Sequence, residues 1–244
     1  CPTLRLTNHH GLMIAGEAAL SNWDAGMDMY IYGKLGNLTM TKEGINVLMT
    51  NLTGKVPPIL QRLDYIRFNG EAAGYLHDLT LTGLFHTGAG MVKTDVMMSI
   101  DEQSMSRTYS GSVASADLDL GKLLNQEKKF GKVDFNVELK GFNYKNRYPE
   151  SYIKGIISSF EYSQYQYENI MLDGVYKDGG FNGRLSMDDA NGSVQIDGNF
   201  NVAKTIPDFN LKASVKNLRP HDLHLSDKYE NASISLGLTE IGRA

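Results

Sequence analysis

The side chains able to do chemistry are few and scattered. His9 and His10 are adjacent, which on a strand sends them to opposite faces. His221 and His224, in His-Asp-Leu-His, are three apart, and on one helical turn that pair holds a metal only with further ligands. Together with His77 and His86 they read as exposed polar residues. Asp188-Asp-Ala-Asn-Gly192 superficially resembles a calcium loop, but Ala190 stands where an oxygen ligand is needed and no Glu closes the loop, so a β-turn is expected. Asp117 and Asp119 would make a carboxylate pair. The plainer expectation is that Asp119 caps a following helical turn and Asp117 is solvated. Gly88-Ala-Gly90 lacks the third glycine and the helix of a dinucleotide loop, and no serine elbow or Cys–His arrangement occurs. The expectation is a protein that is not an enzyme and that uses no metal and no cofactor.

Composition narrows the class. The chain has 244 residues, 24 Lys and Arg against 28 Asp and Glu, and no basic block that could follow a phosphate backbone, so no nucleic-acid partner is expected. It has 25 glycines, about one in ten where about 7% is usual, and only 6 prolines. That balance suits many strands joined by tight turns. The single Cys1 forms no internal disulfide, and no apolar run reaches the length of a membrane-spanning helix. A chain opening on Cys-Pro-Thr-Leu and stopping in Glu-Ile-Gly-Arg-Ala reads as a piece of a longer protein. A mature lipoprotein acylated on Cys1 is the rival reading. The sequons at Asn37, Asn51, Asn191 and Asn231 are of a kind common in β turns and carry little information.

What must position these residues is β structure. In 131–141 Val133, Phe135, Val137 and Leu139 alternate with Lys132, Asp134, Asn136, Glu138 and Lys140, which makes one apolar and one wet face. Ile66, Phe68, Gly70, Ala72, Gly74 and Leu76 repeat the pattern. So do Val194, Ile196, Gly198, Phe200 and Val202, then Phe209 to Val215, then Ala232 to Leu238. Lys177-Asp-Gly-Gly180 and the Asp188 segment supply turn residues that tolerate positive φ, so neighbouring strands should be antiparallel. Helices are expected at Lys42–Leu52, where Ile45, Leu48, Met49 and Leu52 have helical spacing, at Pro58–Leu63, and at Asp119–Asn125 behind an N-cap. A strand, insert, strand unit recurs loosely, with boundaries near 27–106, 107–206 and 207–244 inside one elongated segment of 1–244. Phe160, Tyr162, Tyr165 and Tyr167 are expected to pack across strands, with a sugar platform as the alternative. The fold expected is mainly β, an elongated, curved antiparallel sheet with a few short helices.

Several stretches resemble the TamB and AsmA-like envelope proteins, most closely the long Bacteroidetes members. They include Leu63-Asp-Tyr-Ile-Arg-Phe-Asn-Gly-Glu-Ala-Ala-Gly74, Leu79-Thr-Leu-Thr-Gly-Leu-Phe-His-Thr87 and Leu118-Asp-Leu-Gly-Lys-Leu-Leu124. Gly131-Lys-Val-Asp-Phe135, Ile153 to Phe160, Asn169 to Gly174 and Gly180 to Leu185 extend the likeness over nearly the whole chain. The resemblance implies a taco-like β groove in the periplasm, within an inner-membrane-anchored protein that moves phospholipid between membranes or supports outer-membrane biogenesis with a barrel partner. It implies phospholipid acyl chains and flanking repeats of the same chain as partners. Phe68, Leu79, Leu81, Val133, Phe135, Val137, Leu139, Val194, Ile196 and Phe200, all on apolar phases, are the expected groove lining. The alternative is a structural or adhesive β-sandwich whose apolar faces close on each other, with Gly70, Ala72 and Gly74 serving close sheet packing rather than leaving room beside Phe68.

Overall fold

The computed structural model of the chain describes residues 3–7, 9, 11–22, 24–101, 103–104, 106–143, 150–201, 208–225 and 232–238. The alternating segments form strands β1 (Thr3–Thr7), β2 (Leu12–Ser21), β3 (Tyr30–Thr41), β4 (Tyr65–Tyr75), β5 (Asp78–Thr87), β6 (Gly90–Asp101) and β7 (Ser106–Asp119). They continue as β8 (Phe130–Asn143), β9 (Glu150–Tyr162), β10 (Tyr165–Lys177), β11 (Gly180–Asp189), β12 (Gly192–Asn201), β13 (Asp208–Leu218) and β14 (Ala232–Leu238). All fourteen lie in one open sheet whose spatial order is the chain order, each antiparallel to the next. The protein is mainly β, as expected. Among the described residues all strands belong to this one sheet, and no second sheet faces it.

Turn chemistry sets the hairpins. Asp178 and Gly179 have φ of 50° and 77°, and Ser163 and Gln164 have 50° and 66°. Two positive values in a two-residue turn match the right-handed twist of the flanking strands. The Asp188 segment also turns as expected, and the Asp189 carboxylate accepts the Asn191 N–H at 2.9 Å.

Three larger inserts interrupt the meander, besides a single 3-10 turn at Gly26–Asp28 that joins β2 to β3 at the other end of the sheet. Helices α1 (Lys42–Thr53) and α2 (Pro58–Gln61) join β3 to β4, α3 (Leu120–Leu124) joins β7 to β8, and a turn at 219–225 follows β13. Thr41 caps α1 by accepting the Gly44 N–H at 3.3 Å, and Gly54 ends it at φ 73°. Asp119 caps α3 by accepting the Lys122 N–H at 2.8 Å. Helix α2 stops at Gln61, short of the expected Leu63, because Leu63 turns inward to become core. Successive strands reverse direction, so every connection from an odd to an even strand leaves at the same end of the sheet. All three inserts therefore line one rim, and the opposite rim carries the turns at 76–77 and 178–179.

Candidate functional site

Register converts the period-two pattern into continuous rows. One row runs Phe68, Phe85, Val92, Ser115, Phe135, Ile157, Ile170, Met187, Val194, Val215 from β4 to β13. A parallel row, nearer the opposite rim, runs Leu81, Val96, Gly111, Leu139, Ile153, Gly174, Gly183, Gly198, Leu211. Between them lie Val113, Val137, Leu172, Leu185 and Ile196. Beyond them lie Leu79, Met98, Tyr109, Ser151, Tyr176 and Phe181. From β4 to β12 no side chain in these four rows is charged. The other face carries Glu138, Lys154, Asp173, Arg184 and Asp197, with Arg184 paired to Asp197 at 2.9 Å and Lys154 to Asp173 at 3.5 Å. It also exposes Met97, Phe142, Ile156 and Met171, and a depression of about 490 Å³ lies between Met97, Phe142, Tyr152 and Val175.

Glycines recur on the apolar face, and aromatic rings lie over several. The Phe68 ring covers Gly70 and Gly83, Phe181 covers Gly174, and Tyr109 covers Gly141. The room the sequence leaves beside Phe68 is thus filled by Phe68 itself. At Gly111, φ is +141° and a Cβ would stand 2.0 Å from the Asp95 carbonyl oxygen, so only glycine lets β7 lie this close to β6.

The inserts fold over the same face along their rim. Ile45, Leu63, Ile66, Ala89, Leu118, Leu123 and Val133 form one buried cluster, and Tyr167, Met187 and Leu223 form a second. Hydrogen bonds tie the inserts into a strap. Arg62 donates to the Leu123 carbonyl, the Ser163 N–H to Lys129 at 2.8 Å, His224 Nδ1 to Ser163 at 2.8 Å, and the Tyr167 hydroxyl to Leu223 at 2.8 Å. Lys122 adds a bond of 2.6 Å to Asp64 and 3.0 Å to the Gly88 carbonyl. Its ammonium holds the Asp64 carboxyl below the usual range.

Nine of the ten expected lining residues lie on this face, but not all line open surface. Leu79, Leu81, Val137, Leu139 and Ile196 are half-buried, and among the described residues no helix packs on them. Phe68 and Val133 are a correction. At 5% and 6% exposure they are core, because Phe68 lies flat on glycines and Val133 sits beneath the inserts. Phe135 and Val194 pack against the two buried clusters and mark the foot of the insert wall. The side chain of Phe200 lies outside the described residues, and so do Val202 and Leu238. Val96, Ile153, Leu172, Leu185 and Leu211 share the rows of the expected residues. The alternation in 153–157 and 170–174 was the signal for them.

The residues weighed for chemistry take structural places. Asp117 is a bulged residue at φ 52°, its carboxylate 2.9 Å from Lys132 Nζ, so it is paired rather than merely solvated. His221 lies 3.5 Å from Asp222. His224 belongs to the strap. Among the described residues no group of three or more His, Cys, Asp or Glu is placed to hold a metal. The aromatic residues pack both along and across strands, with Tyr165 and Tyr167 of β10 edge to face at 4.8 Å and Phe160 of β9 within 6.4 Å of Tyr167. Burial, reinforced by a hydrogen bond to Asp189, pushes the Tyr165 hydroxyl up to about 12.

These features define a class: one open antiparallel sheet with an apolar face, a wet face, and a helical wall along one rim. No protein family, curated protein or solved structure matches the chain.

Proposed function

We propose that this sheet is a lipid-shielding segment of a TamB-like or AsmA-like envelope protein, its apolar face a groove that holds phospholipid acyl chains between membranes or during outer-membrane biogenesis. The observation that carries the reading is the set of four uncharged rows continuous across the strands, covered only where the inserts fold over them. Fully shielding one methylene is worth about 0.8 kcal/mol, so an acyl chain laid on such a face is strongly held without any directional contact. The wet face keeps the same sheet soluble. No step in this reading needs a nucleophile, a metal or a cofactor. Periplasmic placement, an inner-membrane anchor, flanking repeats and an outer-membrane barrel partner belong to the same proposal.

The test is native mass spectrometry of the purified chain, lipid extraction, and a photocrosslinker at Val137. Co-purifying phospholipid crosslinked at Val137 is the expected result. A lipid-free protein with Val137 shielded from added lipid would replace the groove with a structural, self-packed module. Val137→Asp in a protein that still folds should abolish lipid capture, since a carboxylate on that face must be desolvated with the chain.

A further inference from the structure

The two rims of the apolar face are not equivalent. At one, the inserts make a wall whose interior is Ile45, Leu63, Leu123 and Leu223, all buried. At the other, the described connections are the 24–29 segment, hydrogen-bonded to Leu76 and His77 at the end of β4, and short turns, and Leu20 and Met98 are 64% and 40% exposed. Polarity changes in the same direction. The row of Leu79 already contains Tyr109, Ser151 and Tyr176, with Tyr109 and Ser151 hydrogen-bonded hydroxyl to hydroxyl. One step further out, Arg107 pairs in register with Ile100 on one side and Asn143 on the other. Arg107 shares the phase of Tyr109, so it is a cation on the apolar side of the sheet, and it is exposed. It has no ion-pair partner among the described residues.

Resting on the groove reading above, we infer that the bound amphiphile has one orientation: its phosphate-bearing head group sits at the open rim on Arg107, and its acyl chain runs along β7 and β8 toward the insert wall. Length supports this. From Arg107 to Val113 is six residues, roughly 20 Å of strand, against roughly 15 Å for one leaflet's share of a 30 Å hydrocarbon core. An acyl chain anchored at Arg107 therefore ends between Gly111 and Val113, before the buried row that the wall covers. The reverse orientation would press a charged phosphate against the buried apolar interior of the wall, Ile45, Leu63, Leu123 and Leu223, which costs far more than it returns. Guanidinium is also the side chain best matched to a phosphate, through two parallel hydrogen bonds.

The experiment uses the full chain and two phosphatidylglycerol probes, one with a diazirine on the head group and one with a diazirine at the end of an acyl chain. Crosslinked peptides are mapped by mass spectrometry. The expected pattern is head-group labelling around Met98, Arg107 and Asn143, and acyl-end labelling around Val113, Val137 and Leu172. Arg107→Gln should weaken capture of phosphatidylglycerol several-fold while leaving capture of an uncharged diacylglycerol unchanged. Competition by millimolar inorganic phosphate against the head-group probe would show that Arg107 recognises phosphate as such; with no competition, the anchored lipid alone supplies the affinity, and both agree with the orientation. Equal labelling of both segments by both probes, or head-group labelling at the insert wall, would overturn the orientation and leave the groove standing. Absence of labelling by either probe anywhere on the apolar face would instead remove the groove itself, and the orientation with it.

Discussion

The ring of Phe68 lies so flat across the neighbouring strand that a Cβ on Gly83 would stand 2.4 Å from its Cε2. Phe68 also packs against Phe85, the rings tilted by 36° with centroids 4.5 Å apart. The ring, the two glycines it covers and the neighbouring ring behave as one packing unit, placed where the open face meets the insert wall.

Gly83→Ala should therefore cost about 1–3 kcal/mol, because the ring and the Asn69 carbonyl 2.6 Å away must both give. Gly33→Ala is the control. Nothing lies within 4 Å of a Cβ there, and a loss of unfolded-chain entropy makes the change neutral or stabilising by up to about 1 kcal/mol. Urea unfolding of both variants separates them, and equal destabilisation would show that the Phe68 ring is not what constrains Gly83.

Leu223 is wholly enclosed although it stands in a turn. Its contacts with Tyr167 and Met187 are what dock the last insert onto β10 and β11. Leu223→Ala should cost about 2–5 kcal/mol, and Tyr167→Phe, which removes the hydroxyl bonded to the Leu223 carbonyl, about 1 kcal/mol. Thermal unfolding checks both, and a Leu223→Ala protein as stable as the parent would mean that the turn does not dock.

The cap on α3 is a single contact, the Asp119 carboxylate on the Lys122 N–H. Asp119→Ala should destabilise by about 1 kcal/mol and Asp119→Asn by less, since Asn caps nearly as well. Chemical denaturation of the pair reads the difference. Identical losses would point to charge rather than the cap.

Tyr165 gives a pH signature. Its hydroxyl is raised from 10.0 to about 12, first by burial and then by the Asp189 carboxylate. A raised folded value favours the neutral hydroxyl, so this contribution is fully present below pH 10 and is lost as pH climbs from about 10 through about 12. Tyrosinate absorbance should show a late phase to which Tyr167, Tyr152 and Tyr32, also raised, contribute, and Tyr165→Phe should diminish it and flatten part of the alkaline fall in stability. A titration in which Tyr165→Phe leaves the late phase intact would refute the assignment.

Alternation in the sequence carried the strand phases, and phase alone set Leu79, Leu81, Val137, Leu139 and Ile196 on the apolar face, because in a pleated strand the side chain's face depends only on position parity. The caps at Thr41 and Asp119 were local as well, which is why the helices at 42 and 120 follow from nearby residues. Bulges were harder. Asp117 and Asn217 each take φ near 50° and shift the register by one, and only the interrupted alternation around them hints at it.

What no residue announces is cover. Phe68 and Val137 have the same pattern in sequence, yet one is core and the other open surface. The difference is made by glycines two strands wide and by inserts that are distant in the chain. Arg107 stayed unremarked for the same reason, since its meaning comes from lying one row past Tyr109 at the rim that the inserts leave bare. The strands, their faces and the sites of the helices are set by neighbours within a few residues and are legible in the chain. Which part of the apolar face is closed follows from the path of the chain in space, because an antiparallel meander sends every odd-to-even connection to one rim, and the three larger inserts among the described residues all fall there.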